Sequence, residues 1–188
     1  MKTWALRVAS VTDTEFLFRV YASTRLEELA LTGWDHAQTE AFLRMQFAVQ
    51  DRHYKLYYPD AQYSVIEASG TDAGRFYVHR RDDEIRVMDI AILPHFQRRG
   101  LGGALMRAVL QEGERSGRIV SIHVERNNPA LQLYQRLGFT HVEDFGIYKL
   151  MHWRASRPDG LRNEAHIESL IRLGVSPHIA GMSSVTIT

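Results

Sequence analysis

Apolar residues recur along this chain with two different periods, and the switch between them marks out its elements. Residues 4–8 (WALRV) read as a short strand. Thr12 and Glu15 then stand three apart, the spacing of a capping box in which each side chain takes a free backbone N–H of the other residue. Phe16, Leu17, Val20 and Tyr21 follow on one helical face, so a first helix is predicted to run to about Ala30, with Gly33 interrupting it. Asp35 and Gln38 can cap a second helix. Its inward stripe is expected at Phe42, Met45 and Val49, and its end near Tyr57, ahead of Pro59.

From residue 62 the period shortens. Runs at 62–68 (QYSVIEA), 75–79 (RFYVH) and 84–93 (EIRVMDIAIL) are β-rich, and only short turns at 70–74 and 82–83 separate them. Connections that short imply an antiparallel meander. Pro94 ends the third run. Beyond it Leu101, Leu105, Ala108 and Val109 share one face of a helix that Gly117 stops. Residues 119–124 (IVSIHV) read as a strand, 129–137 (PALQLYQRL) as a short helix closed by Gly138, and 139–143 with 147–153 as a last pair of strands around Gly146. The order β-α-α-β-β-β-α-β-α-β-β describes a mixed α/β sheet flanked by helices, filling residues 4–154. RASRPDG at 154–160 reads as a linker into a C-terminal extension, 155–188, expected to be partly ordered. One amphipathic helix over 161–173 would turn Ala165, Ile167, Leu170 and Ile171 inward. A dimer contact or a flap over the site is the sharper alternative for that extension.

Composition changes this picture chiefly by exclusion. The 188 residues suit one domain. Lys and Arg number 23 against 22 Asp and Glu, a net charge of +1 that argues against a nucleic-acid partner. The chain has no Cys, which removes disulfides, thiolate metal sites and cysteine nucleophiles and fits a cytoplasmic protein. No apolar run approaches the roughly 20 residues that span a bilayer. Arg7 breaks the N-terminal apolar stretch too early for a signal peptide, so a soluble, uncleaved chain without a membrane partner is expected. The nine His are scattered and form no H-E-x-x-H, and no metal is expected.

Chemistry concentrates between residues 89 and 139. Gln97-Arg98-Arg99-Gly100-Leu101-Gly102-Gly103-Ala104 follows a strand and opens a helix. A helix N-terminus offers unpaired N–H groups and the positive end of the helix dipole. Glycines there let a bulky anion reach the backbone, and two arginines add charge. On physical grounds this is a pyrophosphate cradle. It is not a P-loop, because G-x-x-x-x-G-K-[ST] is missing, nor a dinucleotide fingerprint, because Leu105 stands where the last Gly would be.

A second pattern, N-x-x-A-x-x-x-Y-x-x-x-G-F, begins at Asn127 and contains Ala130, Tyr134, Gly138 and Phe139. Together the two resemble the GNAT superfamily of N-acetyltransferases, in which R-x-x-G-x-G opens the central helix after a long strand, here in the form Q-R-R-G-L-G-G-A. The resemblance covers about residues 4–154, and the stretch 16–59 is similar to one subgroup. It implies the acyl-CoA N-acyltransferase fold: a mixed, mostly antiparallel sheet splayed between its central strands. It also implies acetyl-CoA as co-substrate. The pyrophosphate would sit on the N–H groups of Arg98, Arg99, Gly100, Leu101, Gly102, Gly103 and Ala104. The pantetheine arm would run along Ile90, Ala91, Ile92 and Leu93 with Asn127 beside it. Tyr134 would be the general acid for the leaving thiolate. A bulge in the long strand and homodimers are further family expectations.

The chemistry sets its own demands. An amine must be neutral to attack a thioester, yet a lysine-like amine has a pKa of about 10.4. Its proton has to leave, directly or through water. The oxyanion needs N–H donors, which a splayed strand could supply near Ile92. His123 is the candidate base, or else a strand histidine that is simply hydrogen-bonded. Asp89 and Glu84, on opposite faces by strand alternation, are alternative relays. The acceptor pocket is expected between the first two helices and the last hairpin, from Arg25, Glu27, Glu28, Trp34, Gln46, Gln50, His53, Tyr54, Phe145 and Tyr148. Two functions compete: an N-acetyltransferase acting on a small-molecule or peptide amine, and a non-catalytic CoA-binding sensor. A nucleic-acid binder using Arg80-Arg81 and Arg98-Arg99 is the third, disfavoured by the charge balance.

Overall fold

The β-rich runs of the middle of the chain pair as their short turns demand. The computed structural model describes residues 4–155; the predicted C-terminal helix lies outside the described residues. Seven strands, β1 (Trp4–Val8), β2 (Gln62–Ala68), β3 (Thr71–Arg80), β4 (Glu84–Ile92), β5 (Ile119–Glu125), β6 (Thr140–Phe145) and β7 (Tyr148–Trp153), form one sheet in the order β1-β2-β3-β4-β5-β7-β6. Only β4 and β5 pair in parallel. The crossover between them is α4 (Leu101–Ser116), which packs behind the sheet with α5 (Leu131–Arg136). In front lie α1 (Thr14–Ser23), the single turn α2 (Leu26–Leu29) and α3 (His36–Tyr57). This is the splayed, mostly antiparallel α/β fold expected.

Strand alternation divides the core in two. Ile85, Val87, Ile90 and Ile92 of β4 with Val120, Ile122 and Val124 of β5 turn back onto Leu105, Met106 and Val109 of α4. Val65 and Ala91 turn forward onto Phe16, Leu17, Val20, Leu43 and Phe47.

Three details at the front differ from the sequence reading. The first helix breaks after Ser23. The hydroxyls of Ser23 and Thr24 bond back to the carbonyls of Val20 and Tyr21 at 2.7 Å each, competing with the next helical turn. Its entry is organised by Asp13 rather than by Thr12 and Glu15. The Asp13 carboxylate accepts the Ser10 N–H at 2.7 Å and is gripped by Arg7 at 2.8 and 2.9 Å. Arg7 also holds Asp72 at 2.8 Å, so one guanidinium ties β1, the start of α1 and β3 together. Third, the Asp35–Gln38 cap forms as expected, but α3 buries Leu43, Phe47, Gln50 and Tyr54 while Met45 and Val49 are exposed. A search for apolar stripes alone could not use Gln50, which faces a buried charge.

Candidate active site

Two irregularities in neighbouring strands open the sheet. Tyr77 pairs with Asp89 and Val78 with Val87, so Met88 is an extra residue, a bulge. The parallel rungs between β4 and β5 run from Glu84–Ile119 to Val87–Ile122 and stop there. Beyond the bulge β4 continues to pair with β3, through Phe76, Arg75 and Gly74, but leaves β5, which turns its other edge to β7. A wedge results, walled by residues 88–92 of β4 and 123–125 of β5. Gly74 permits it: a Cβ there would collide with the backbone carbonyl of Ala91.

The bulge also changes which side chains share a face. Without it Glu84 and Asp89 would lie on opposite sides of the sheet. With it, Arg86 and Asp89 both face forward, Arg86 toward Tyr58 and His123, and Asp89 toward Arg75.

Backbone alternation sorts the wedge-lining residues of β4. Leu93 donates to Ala73 O at 2.8 Å, so Ala91 also directs its peptide groups to β3, while Ile90 and Ile92 direct theirs to the open edge. Ala91 therefore offers no backbone group to a ligand in the wedge, contrary to the sequence reading. The Ile92 carbonyl accepts from the Gln97 side chain at 2.7 Å.

At the wide end of the wedge the chain turns into α4. Arg98 has φ 55° and Gly100 φ 81°, two left-handed residues flanking Arg99. That conformation is strained for arginine. The first backbone bond of α4 is Ala104 N–H to Gly100 O at 3.0 Å. Ala104 is thus removed from the expected anion donors, whereas the N–H groups of Leu101, Gly102 and Gly103 precede the first helical bond and point out of its end. Arg98 and Arg99 are exposed beside them.

Tyr134 of α5 is 0% exposed, edge-on to Phe139 at 5.8 Å, and its hydroxyl has no hydrogen-bond partner. Burial, and then the Asp89 charge, push its pKa well above the usual tyrosine value, so the O–H is intact at neutral pH. Asn127 is exposed on the turn after β5, and Asn128 is buried, its Oδ1 accepting the Ala130 N–H at 2.8 Å ahead of α5. His123 lies on the β5 wall. Its Nδ1 is 3.1 Å from the Arg86 guanidinium, which can only donate. The ring proton is therefore on Nε2. Burial, then Arg86 and His152, push its pKa down to about 3. With Nδ1 accepting from Arg86 and the proton on Nε2, His123 presents a donor, which works against its expected role as base.

In front of the wedge Arg75 and Asp89 form an ion pair at 2.7 Å, 2% and 0% exposed. Gln50 accepts from Arg75 at 3.0 Å, and the rings of Tyr21 and Tyr77 lie 5.6 and 5.4 Å from its guanidinium carbon. Burial opposes the charge on Arg75, and Asp89 together with Tyr77 and Tyr54 outweighs that opposition, so its pKa is raised. Higher up, Glu125 lies 3.9 Å from Arg25 and 3.5 Å from the Tyr148 hydroxyl. That contact joins the turn between α1 and α2 to β5 and β7. Glu125, Arg75 and Arg86 were missed in the sequence, because charged residues in strands read as solvated until the sheet order is known. Of the pocket candidates, Arg25, Gln50, Tyr54 and Tyr148 gather around these charges. Trp34 instead packs edge-on to Phe42 of α3 at 5.1 Å, and His53 lies tilted against Tyr57 at 4.5 Å on the same helix. Among the described residues no group of three or more His, Asp or Glu could hold a metal ion, and no helix is long and apolar enough to cross a membrane.

A family model described as an acetyltransferase (GNAT) domain matches residues 59–141. Over 63 residues the chain is 42% identical to the [ribosomal protein bS18]-alanine N-acetyltransferase of Salmonella typhimurium, a match covering 32% of this chain and 42% of that relative. The matched segment thus spans less than half the length of the curated relative. Among solved structures, the PaiA N-acetyltransferase of Thermoplasma acidophilum in complex with coenzyme A superposes with a TM-score of 0.61 at 16% identity, covering 81% of this chain and 99% of that one. An acetyltransferase from Thermus thermophilus gives 0.59 at 22% identity, covering 81% and 97%. The ribosomal-protein-S18-alanine N-acetyltransferase of Escherichia coli gives 0.53 at 17%, covering 85% and 99%. The bulged and splayed sheet and the glycine-led helix lie within residues 59–141, the segment that matches the acetyltransferase (GNAT) domain model.

Proposed function

We propose that the protein is an N-acetyltransferase that moves an acetyl group from acetyl-CoA to a primary amine by direct attack within a ternary complex. The observation that carries this reading is the wedge beyond Val87–Ile122 with the helix N-terminus at its wide end; the unpartnered Tyr134 hydroxyl supports it.

Acetyl-CoA supplies the acetyl group as an activated thioester. The N–H groups of Leu101, Gly102 and Gly103, with Arg98 and Arg99, bind its diphosphate. The open edge of β4 at Ile90 and Ile92 pairs with the pantetheine arm as an added strand would, and Asn127 flanks it. An N–H of that edge donates to the carbonyl oxygen as it gains charge. The amine nitrogen forms the new C–N bond while the C–S bond breaks. The Tyr134 O–H gives its proton to the departing sulfur and is reprotonated from water. The amine's own proton passes to water, because His123 already accepts at Nδ1 and carries its proton at Nε2. His123 is proposed as a donor at the wedge wall.

A panel of amines with acetyl-CoA, followed by release of CoA thiol, tests the reading. Turnover of at least one amine above the uncatalysed rate, lost in Tyr134→Phe, supports it. Tight acetyl-CoA binding without turnover of any amine favours the sensor.

A further inference from the structure

A row of polar residues crosses the front face one rung below the opening. His79 of β3 stands opposite Arg86 of β4, Arg86 opposite Ser121 of β5, and Ser121 opposite His152 of β7. Residues directly opposite one another share a face, with Cβ atoms about 5 Å apart. Two of them bury polar atoms that nothing satisfies. Ser121 is 0% exposed with no partner for Oγ, and His79 is 6% exposed with none for Nδ1.

Arg86, between them, is half-buried. Its guanidinium lies 5.6 Å from the Tyr58 ring centre and donates to His123 Nδ1. Among the described residues, every other arginine that lacks an ion pair is exposed; Arg86 alone is drawn out of water without a counter-charge. The acidic groups of this face are engaged elsewhere. Asp60 lies 3.1 Å from His79 Nε2, Asp89 holds Arg75, Glu125 lies by Arg25, and Glu84 acts on His152. Pairing with an anion would stabilise a charge in such a place, and the neighbouring Ser121 carries a buried O–H with no partner.

We infer that Arg86 and the Ser121 O–H form an anion subsite on the acceptor side of the wedge, which takes the carboxylate of an amine-bearing acid. The inference rests on the acetyltransferase reading, since it names the acceptor's class. One formal positive charge matches one carboxylate; a phosphate dianion would stay half neutralised. The subsite is distinct from the diphosphate cradle, which lies at the far end of β4, beyond Ile92.

The test is a titration of straight-chain amino acids, from glycine to aminohexanoate, and of their amides, into the protein with and without CoA. Nuclear magnetic resonance reads the backbone amides of Ser121 and His123. At least one acid should saturate, and its amide should bind about tenfold more weakly or worse. Arg86→Gln should abolish the difference, Arg86→Lys should keep part of it, and both should leave the melting temperature and CoA affinity close to wild type. Equal binding of acids and amides, wild-type acid binding by Arg86→Gln, or no saturable binding of any acid overturns the subsite. Failure of the transferase reading looks different: acids bind in an Arg86-dependent way, yet no CoA thiol appears with acetyl-CoA present.

Discussion

Val87 faces Ile122 across the last parallel rung between β4 and β5, and the next residue, Met88, has no partner on β3. The bulge and the end of pairing coincide, so one inserted residue both lets β4 swing away from β5 and brings Asp89 onto the face that carries Arg86. The opening between the strands and the charges on the front face thus share one local cause.

Gly74 is the hinge of that arrangement. Adding a Cβ would meet the Ala91 carbonyl and the Ile92 Cα, both backbone, which cannot rotate away. Gly74→Ala is expected to destabilise the protein by about 1–3 kcal/mol, the usual range for overpacking. Affinity for CoA should fall with it, because β4 must move. Urea denaturation and CoA titration measure the two; a variant as stable as wild type contradicts the close approach.

Tyr134 gives the opposite signature. Its hydroxyl is buried without a partner, so removing it relieves a desolvation penalty instead of breaking a bond. Tyr134→Phe should be at least as stable as wild type and bind acetyl-CoA unchanged, with turnover reduced about a hundredfold, as for loss of a general acid. Unchanged turnover would return Tyr134 to the core.

The Arg75–Asp89 pair is a buried charge pair whose halves depend on each other. Asp89→Asn leaves a guanidinium with 2% exposure and no countercharge, and is expected to cost about 3–5 kcal/mol. Replacing both, as Arg75→Met with Asp89→Leu, should recover most of that loss. A double variant as unstable as the single one would show that the pair's polar contacts, Gln50 among them, matter more than its charge balance.

His123 makes stability depend on pH. Its ring titrates near 6.5 in an unfolded chain and, through burial and then Arg86 and His152, is pushed down to about 3 when folded. The folded state therefore binds fewer protons between those values. Stability from keeping the ring neutral is complete above about pH 6.5 and is lost progressively as pH falls toward 3. Burial lowers His152 in the same direction. Melting temperature should drop steeply between pH 6.5 and 4, and His123→Gln should flatten that slope. An unaltered slope would mean that His123 is not held neutral.

Much of the fold was legible because its signals are local. Runs separated by turns of a few residues fixed the meander, and glycines at 117 and 138 marked helix ends, both with positive φ. The bulge at Met88 left no such trace, since β4 reads as an unbroken β-rich run and the register depends on its partners. For the same reason alternation alone put Glu84 and Asp89 on opposite faces. The glycine-led loop was readable as a helix start with free N–H groups, but the loss of Ala104 to the first helical bond, and of Ala91 to β3, required the hydrogen bonds themselves. The front-face charges Arg75, Arg86 and Glu125 come from three strands that only the sheet order brings together.

The account depends most directly on where coenzyme A sits. A crystal structure of the protein grown with CoA should place the diphosphate within hydrogen-bond distance of the Leu101, Gly102 and Gly103 amides. The pantetheine arm should lie between β4 and β5, its thiol end near Tyr134. Density for CoA anywhere else on the protein, or its absence at saturating concentration, would contradict the account.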